Sequence, residues 1–242
     1  MLTCTQIICK VENLSKAVSD YGSQGFSVEW GSDPKKANNA FIWFDEGPVI
    51  ELFKVPEWIK YFGFLIRIFF GKQVRNRFLY WSHSPQGFCN ITLSPSDSSK
   101  QFNLKIILPL LESIGLKTSR IIKGSRENLR GQKVRYSFCI PMRNTIPLIA
   151  SHYDPPQIPT KIRHENGSKK IDWIKVGVSK SDWDIFKKLT KKESRIRIQK
   201  ASKTSILSIG ISGLKNCINE KILHGASIKS TEIEQRSSLR KN

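Results

Sequence analysis

The chain has 242 residues, 39% apolar, 10% aromatic and 25% charged. That is enough apolar material for one large core or two ordinary ones, and too much for a disordered chain. Forty Lys and Arg against 20 Asp and Glu leave a formal charge of +20, a surface that attracts anions of any kind without saying which.

Taken in order, Thr5–Val11 is a short, β-branched apolar run and reads as a strand. Asn13 can cap a helix over Leu14–Gln24, where Leu14, Val18 and Tyr21 recur at helical spacing, and Gly25 ends it. Phe26–Trp30 reads as a second strand and Gly31–Lys36 as a loop. Ala40–Phe44 and Val49–Phe53 are two more strands, joined through the turn residues Asp45 to Pro48. The segment 57–86 breaks this rhythm, with nine aromatic residues among Lys and Arg. Its best apolar run, Trp58 to Phe70, is interrupted by Lys60 and Arg67 and is too short to span a bilayer. It reads as a helix packing on the back of the sheets or on a second subunit, in preference to a lid over an apolar ligand or a helix dipping into lipid.

The first order of elements then returns. Phe88–Leu93 is a strand, Asn103–Ile114 a helix stopped by Gly115, and Leu116–Lys123, Val134–Ile140 and Ile146–His152 are strands. The interval from Leu14 to Gly25 equals that from Leu104 to Gly115. A Pro-rich linker, Asp154–Pro159, precedes a partial third copy. It comprises a strand at Ile171–Val178, a helix at Ser181–Leu189 opened by Ser181 or Asp182, and a hairpin of Arg195–Gln199 with Ser205–Ile211. The expected division is therefore 1–56, the insertion 57–86, 87–156, a partial module 157–224 and a polar, frayed tail 225–242. The fold class expected is α+β, with tandem βαβββ modules forming curled half-barrel sheets around a cleft.

The five cysteines form no CxxC pair, which removes zinc-knuckle and thioredoxin-type chemistry. No signal-peptide pattern opens the chain, so a reducing, cytoplasmic setting is expected. Serine-hydrolase elbow, Walker, dinucleotide and HExxH motifs are absent from the sequence, and with them those enzyme classes.

Several short stretches carry a resemblance: Val11-Glu12-Asn13-Leu14, Gly25-Phe26-Ser27-Val28 with Trp30-Gly31, and Asn39-Ala40-Phe41 with Phe44. Ile50-Glu51-Leu52, Gly124-Ser125-Arg126, Pro147-Leu148-Ile149 and His164-x-Asn166-Gly167 complete the set. With the tandem β-α-β-β-β order, residues 4–212 resemble the glyoxalase-like branch of the vicinal-oxygen-chelate superfamily, which includes glyoxalases, bleomycin-resistance proteins and extradiol dioxygenases.

The resemblance implies a cleft holding a divalent metal (Mn, Ni, Fe or Zn), chelated by two neighbouring substrate oxygens, or a metal-free binding pocket. It also implies a small-molecule ligand and a homodimer. Carried over by position, it assigns the metal to Gln6, Glu51, Ser151 and the adjacent His152, with Glu51 as catalytic ligand and base. Only one of these is a carboxylate, so the metal site is degenerate. Arg126 and Arg135 are candidates to grip an anionic substrate through bidentate bonds. Trp30, Trp43 and Phe44 are candidate pocket walls, and His164 and Asn166 candidate binding residues from the linker. Two other classes compete. The Lys- and Arg-rich stretch from Lys161 to Lys203 suits nucleic acid but carries no recognition module, and the aromatic insertion suits a membrane. Both rank below the small-molecule reading.

Overall fold

The Asn13 side chain begins the first helix by accepting from the Lys16 backbone N–H at 3.0 Å, as its residue type leads one to expect. The helix, α1 (Leu14–Ser23), buries Leu14, Ala17 and Tyr21 and ends at Gly25 with φ +79°, a left-handed conformation that glycine adopts without strain. In this computed structural model, which describes residues 1–96 and 103–232, α1 connects β1 (Leu2–Lys10) to β2 (Glu29–Trp30), β3 (Asn39–Ile42) and β4 (Val49–Phe53). The second strand is shorter than the sequence suggested, since only Glu29 and Trp30 pair with β3.

The second copy repeats the plan with β5 (Gly87–Pro95), β6 (Ile122–Glu127), β7 (Lys133–Cys139) and β8 (Leu148–Ala150). Its helical part differs from the continuous helix expected. A 3-10 turn, Leu104–Ile107, leads into α4 (Leu108–Ser113), which has Pro109 at its start. Proline lacks the N–H that would continue one hydrogen-bond ladder through both pieces. The strand expected over Leu116–Lys123 begins only at Ile122.

The two copies share one sheet of eight strands, ordered β2-β3-β4-β1-β5-β8-β7-β6. In each copy the first strand pairs parallel with the last, and the others follow antiparallel outward. The copies join through the antiparallel pair β1–β5, so the two halves are related by an approximate twofold axis at that seam. This is the curled α+β half-barrel arrangement expected.

Downstream, β9 (Lys170–Val178), α5 (Trp183–Thr190), β10 (Ile196–Lys200), β11 (Ser205–Ser212) and β12 (Ile228–Ser230) build a four-stranded sheet ordered β10-β9-β11-β12. The expected hairpin of β10 with β11 does not form, because β9 lies between them, parallel to β10 and antiparallel to β11. β12 falls in the stretch read as a polar tail, where Ile228 is buried and pairs with Ile209 of β11; residues 233–242 of that stretch lie outside the described residues. The parallel, antiparallel, parallel pattern repeats that of β4-β1-β5-β8 at the centre of the large sheet. Two abbreviated β-α-β-type units thus stand where the sequence suggested one partial copy.

One continuous core fills the convex side of the large sheet. It joins Ile7, Cys9 and Ile91 to α1, the Leu104–Ser113 segment, α5 and the four-stranded sheet. The concave side holds a second core, made where the insertion folds into it. Helices α2 (Trp58–Phe70) and α3 (Lys72–His83) place Ile59, Ile66, Val74 and Trp81 on Ile8, Ile122 and Ile140. The insertion therefore plugs part of the cup rather than covering the sheet's back.

Candidate functional site

Strand alternation decides what faces the unplugged part of the cup. Gln6 and Ile8 of β1 lie in register with Val49 and Glu51 of β4, and Asn39 and Phe41 of β3 with Phe53 and Glu51. A cavity of about 210 Å³ lies in this part of the cup. That exceeds the roughly 150 Å³ that admits a benzene ring in an engineered protein cavity. Gln6, Asn39, Glu51 and Arg126 supply its polar wall, while Phe53, Phe78, Trp81, Tyr136, Phe138 and Tyr153 supply the aromatic one.

Glu51 accepts a hydrogen bond from Asn39 Nδ2 at 2.8 Å. Burial holds its carboxyl above the usual carboxylate range, only partly offset by Asn39 and by the charge of Arg126. Gln6 Nε2 donates to the Tyr153 phenol at 2.9 Å. The Tyr153 and Tyr136 phenols are both pushed up, first by burial and then by the Glu51 charge.

Arg126 reaches across the mouth of the half-barrel. It starts on β6, one edge strand, and donates to the carbonyl of Gly31, just past β2 at the other edge. Its guanidinium lies 5.1 Å from the Phe41 ring centre and 5.3 Å from that of Tyr153, within cation–π range. Its Nε is buried without a hydrogen-bond partner.

Of the residues singled out from sequence, Gln6, Glu51, Ser151 and Arg126 line this cavity. The Ser151 hydroxyl is already engaged, accepting from Ser137 N at 2.9 Å and donating to the His152 carbonyl at 2.8 Å. His152 faces away and bonds the Pro95 carbonyl at 3.0 Å. With Trp43 and Phe44 it lines a neighbouring, larger cavity of about 420 Å³, which also touches Gln6, Ser151 and Tyr153. Arg135 lies on a separate surface groove and pairs with Asp154 at 3.7 Å.

Trp30 packs against the convex core. His164 is a structural anchor: its Nδ1 accepts from Ser27 N at 3.0 Å, so Nε2 carries the proton and donates to the Trp43 carbonyl at 2.9 Å. Asn166 packs beside Gly25 and donates to the Gln24 carbonyl at 2.8 Å; a Cβ on Gly25 would sit 2.7 Å from the Asn166 nitrogen. The sequence reading missed Asn39, Phe53, Tyr136, Phe138 and Tyr153 at the cup. The pairs Asn39-x-Phe41, Glu51-x-Phe53 and Tyr136-x-Phe138 carried the signal, since alternate strand residues share a face.

This donor set does not fit a divalent metal. Among the described residues no three His, Cys, Asp or Glu side chains gather. The cup offers one carboxyl, of Glu51, and two amides, of Gln6 and Asn39, each already hydrogen-bonded, beside a guanidinium whose charge would repel a cation.

No family model and no curated protein matches the chain in sequence. Solved structures do match it in three dimensions. A hypothetical protein from Staphylococcus aureus superposes with a TM-score of 0.63 at 14% identity, over 89% of this chain and 93% of that one. A fusion of a xylose isomerase-like TIM barrel with a 4-hydroxyphenylpyruvate dioxygenase gives 0.50 at 8% identity, over 87% of this chain and 36% of that longer one. The Mn(II)-bound glyoxalase from Novosphingobium aromaticivorans gives 0.49 at 12% identity, over 90% and 67%. With two copies of β-α-β-β-β joined at β1 and β5 into one curled sheet, the chain shares its fold with the Staphylococcus aureus protein and the dioxygenase fusion, the tandem half-barrel fold that the resemblance to the vicinal-oxygen-chelate superfamily implied.

Proposed function

We propose that the protein binds a small, flat, anionic organic molecule in the cup without the help of a metal. The buried Arg126 Nε with no partner carries this reading. A guanidinium donor withdrawn from water and left unbonded is costly, and a carboxylate or enolate oxygen would satisfy it with a charge-assisted bond. The aromatic wall suits the rest of such a ligand. Glu51, whose carboxyl burial holds above the usual carboxylate range, offers a hydrogen bond to a second oxygen in its protonated form. Where the fold's metal would neutralise an anion, Arg126 supplies the positive charge.

Thermal shift and calorimetry with benzoate and 2-hydroxybenzoate, against uncharged benzamide, test the reading. The carboxylates should stabilise the protein and the amide should not. Arg126→Met should weaken carboxylate binding by about tenfold to a hundredfold, the worth of one or two charge-assisted bonds. Equal responses to acid and amide, or binding that appears only with added Mn²⁺, would overturn it.

A further inference from the structure

Helix α2 presents a broad apolar surface to water. Tyr61 is 78% exposed, Ile68 68%, Phe69 63% and Phe64 58%, with Trp58 and Phe62 each at 50%. Only a narrow stripe, Ile59, Gly63 and Ile66, turns inward to the concave core. Among the insertion's aromatic residues, Trp81 of α3 is buried whereas those of α2 named above are exposed. A contiguous apolar surface of this kind marks a place where something binds.

Two features identify the occupant. The first is charge: residues 54–75 carry five Lys and Arg against one Glu, and that Glu57 is paired with Lys54 at 3.2 Å. Arg120 adds a further cation at the helix end, donating to the Phe69 carbonyl. A second copy would bring another basic rim and another +20 chain against this one; an anionic lipid surface neutralises both. The second feature is shape. The exposed apolar side chains form one broad arc opposite the inner stripe, with the exposed Arg67 at its margin. An apolar arc bordered by a basic residue is the pattern of a helix lying in the headgroup layer with that arc immersed. α2 has 13 residues with a kink at Phe62 (φ −107°, ψ 22°), and among the described residues no helix is long and apolar enough to cross a membrane.

We propose that α2 is an interfacial helix that docks the protein on anionic lipid, lying in the headgroup plane with Tyr61, Phe64, Ile68 and Phe69 immersed and Arg67 and Lys72 at the phosphates. This does not depend on the ligand reading. It does place the cavity wall formed by Phe78 and Trp81 of α3 one helix away from the lipid.

The test is co-sedimentation of the full chain with vesicles of phosphatidylcholine alone, or with about 30% phosphatidylserine. Binding is expected to the mixed vesicles, to fade with added salt, and to be lost in the triple variant Phe64→Glu, Ile68→Glu, Phe69→Glu. Arg67→Gln and Lys72→Gln should each weaken it by about fivefold at low salt. Brominated acyl chains should quench tryptophan fluorescence in the wild type, and the bromine-dependent part should fall in Trp58→Phe, a readout that does not need the triple variant to fold. Failure of the wild type to bind mixed vesicles overturns the proposal. So does a concentration-dependent dimer in solution that the triple substitution dissolves, since a second copy would then cover the face.

Discussion

Arg126 performs two tasks with one side chain. By bonding the Gly31 carbonyl it ties the two edges of the half-barrel, and by stacking on Phe41 and Tyr153 it holds its charge in the cup. Glu51 is tuned by the same neighbourhood. Its folded-state pKa lies above the ordinary value of 4.5 because burial disfavours the carboxylate. The resulting linkage has a definite sign. Below 4.5 the group is protonated folded or unfolded, and stability is complete. As pH rises through the raised folded value, the fold must accommodate an ionised Glu51, and stability falls. Glu51→Gln should remove that loss, so the melting-temperature difference between variant and wild type should grow in the variant's favour from roughly pH 4 to pH 8. A constant difference would show that Glu51 does not titrate in this range. Anion binding in the cup should weaken over the same rise in pH, as a carboxylate appears beside Arg126.

At the level of elements, the insertion converts a hollow half-barrel into a small cavity. Trp81 of α3 is 5% exposed and makes edge-on contacts with Phe53 at 5.7 Å and Phe78 at 5.6 Å. Trp81→Ala should cost about 3–5 kcal/mol in denaturant unfolding, the usual loss for emptying a buried aromatic site. On the neighbouring helix, Phe64→Ser should change stability by no more than about 0.5 kcal/mol, because the ring is already in water. A large cost at Phe64 would mean that α2 is held by contacts the structure does not contain. The contrast separates the half of the insertion that builds the core from the half that faces outward. Buried Arg77 belongs to the first half. It donates to the carbonyls of Arg143 and Ile146 at 3.1 Å each, and burial lowers its pKa to about 10.

Across the whole molecule the two sheets are held together by buried polar ties as well as by apolar contact. The Glu193 carboxylate, in the turn before β10, accepts from Thr3 Oγ1 at 2.6 Å and Cys4 N at 2.8 Å on β1. Tyr21 of α1 donates to the Leu223 carbonyl at 3.2 Å, and His224 bonds Asp20 at 2.9 Å. Burial alone would raise the Glu193 pKa, but hydrogen bonds from Thr3, Cys4 and Arg195 outweigh it and hold the group below its ordinary value. Its contribution is therefore present above that value and lost as pH falls through the depressed one. With one core running through both sheets, the chain should unfold in a single transition seen alike by circular dichroism and tryptophan fluorescence. Glu193→Ala should lower stability by about 2 kcal/mol, as partners of a buried charge are left unsatisfied, without splitting the transition. Two separated transitions would show that the sheets fold independently.

The tandem β-α-β-β-β order was legible because it is written locally. Asn13 and the glycines at 25 and 115 punctuate the helices, and the β-branched runs mark β1, β4 and β9. Gln6 and Glu51 were singled out by the resemblance carried over by position, and the parallel register of β1 with β4 puts them on one face. What the sequence could not give was any relation across the sheet. Local periodicity says which face a side chain takes, but not which distant strand edge lies opposite. Hence Arg126 could be named as an anion grip but not as the bridge between the β2 and β6 edges, and Tyr136 and Tyr153 went unnoticed. His164 and Trp43 drew notice as pocket residues, yet the His164 ring bonds the Trp43 carbonyl in a loop anchor. β10 and β11 read as a hairpin because they are neighbours in the chain, although β9 separates them. The composition of α2 likewise fixed its amphipathic and basic character, but its exposure followed only from how much room the cup left once Ile59, Ile66 and Trp81 had filled it. Sequence alone thus determined the repeat, the helix ends and the inward faces of single strands, because each depends on residues a few positions apart. Pairing partners, the closed mouth of the cup and the uncovered aromatic helix were decided by tertiary structure, because they depend on which remote surfaces compete for the same space.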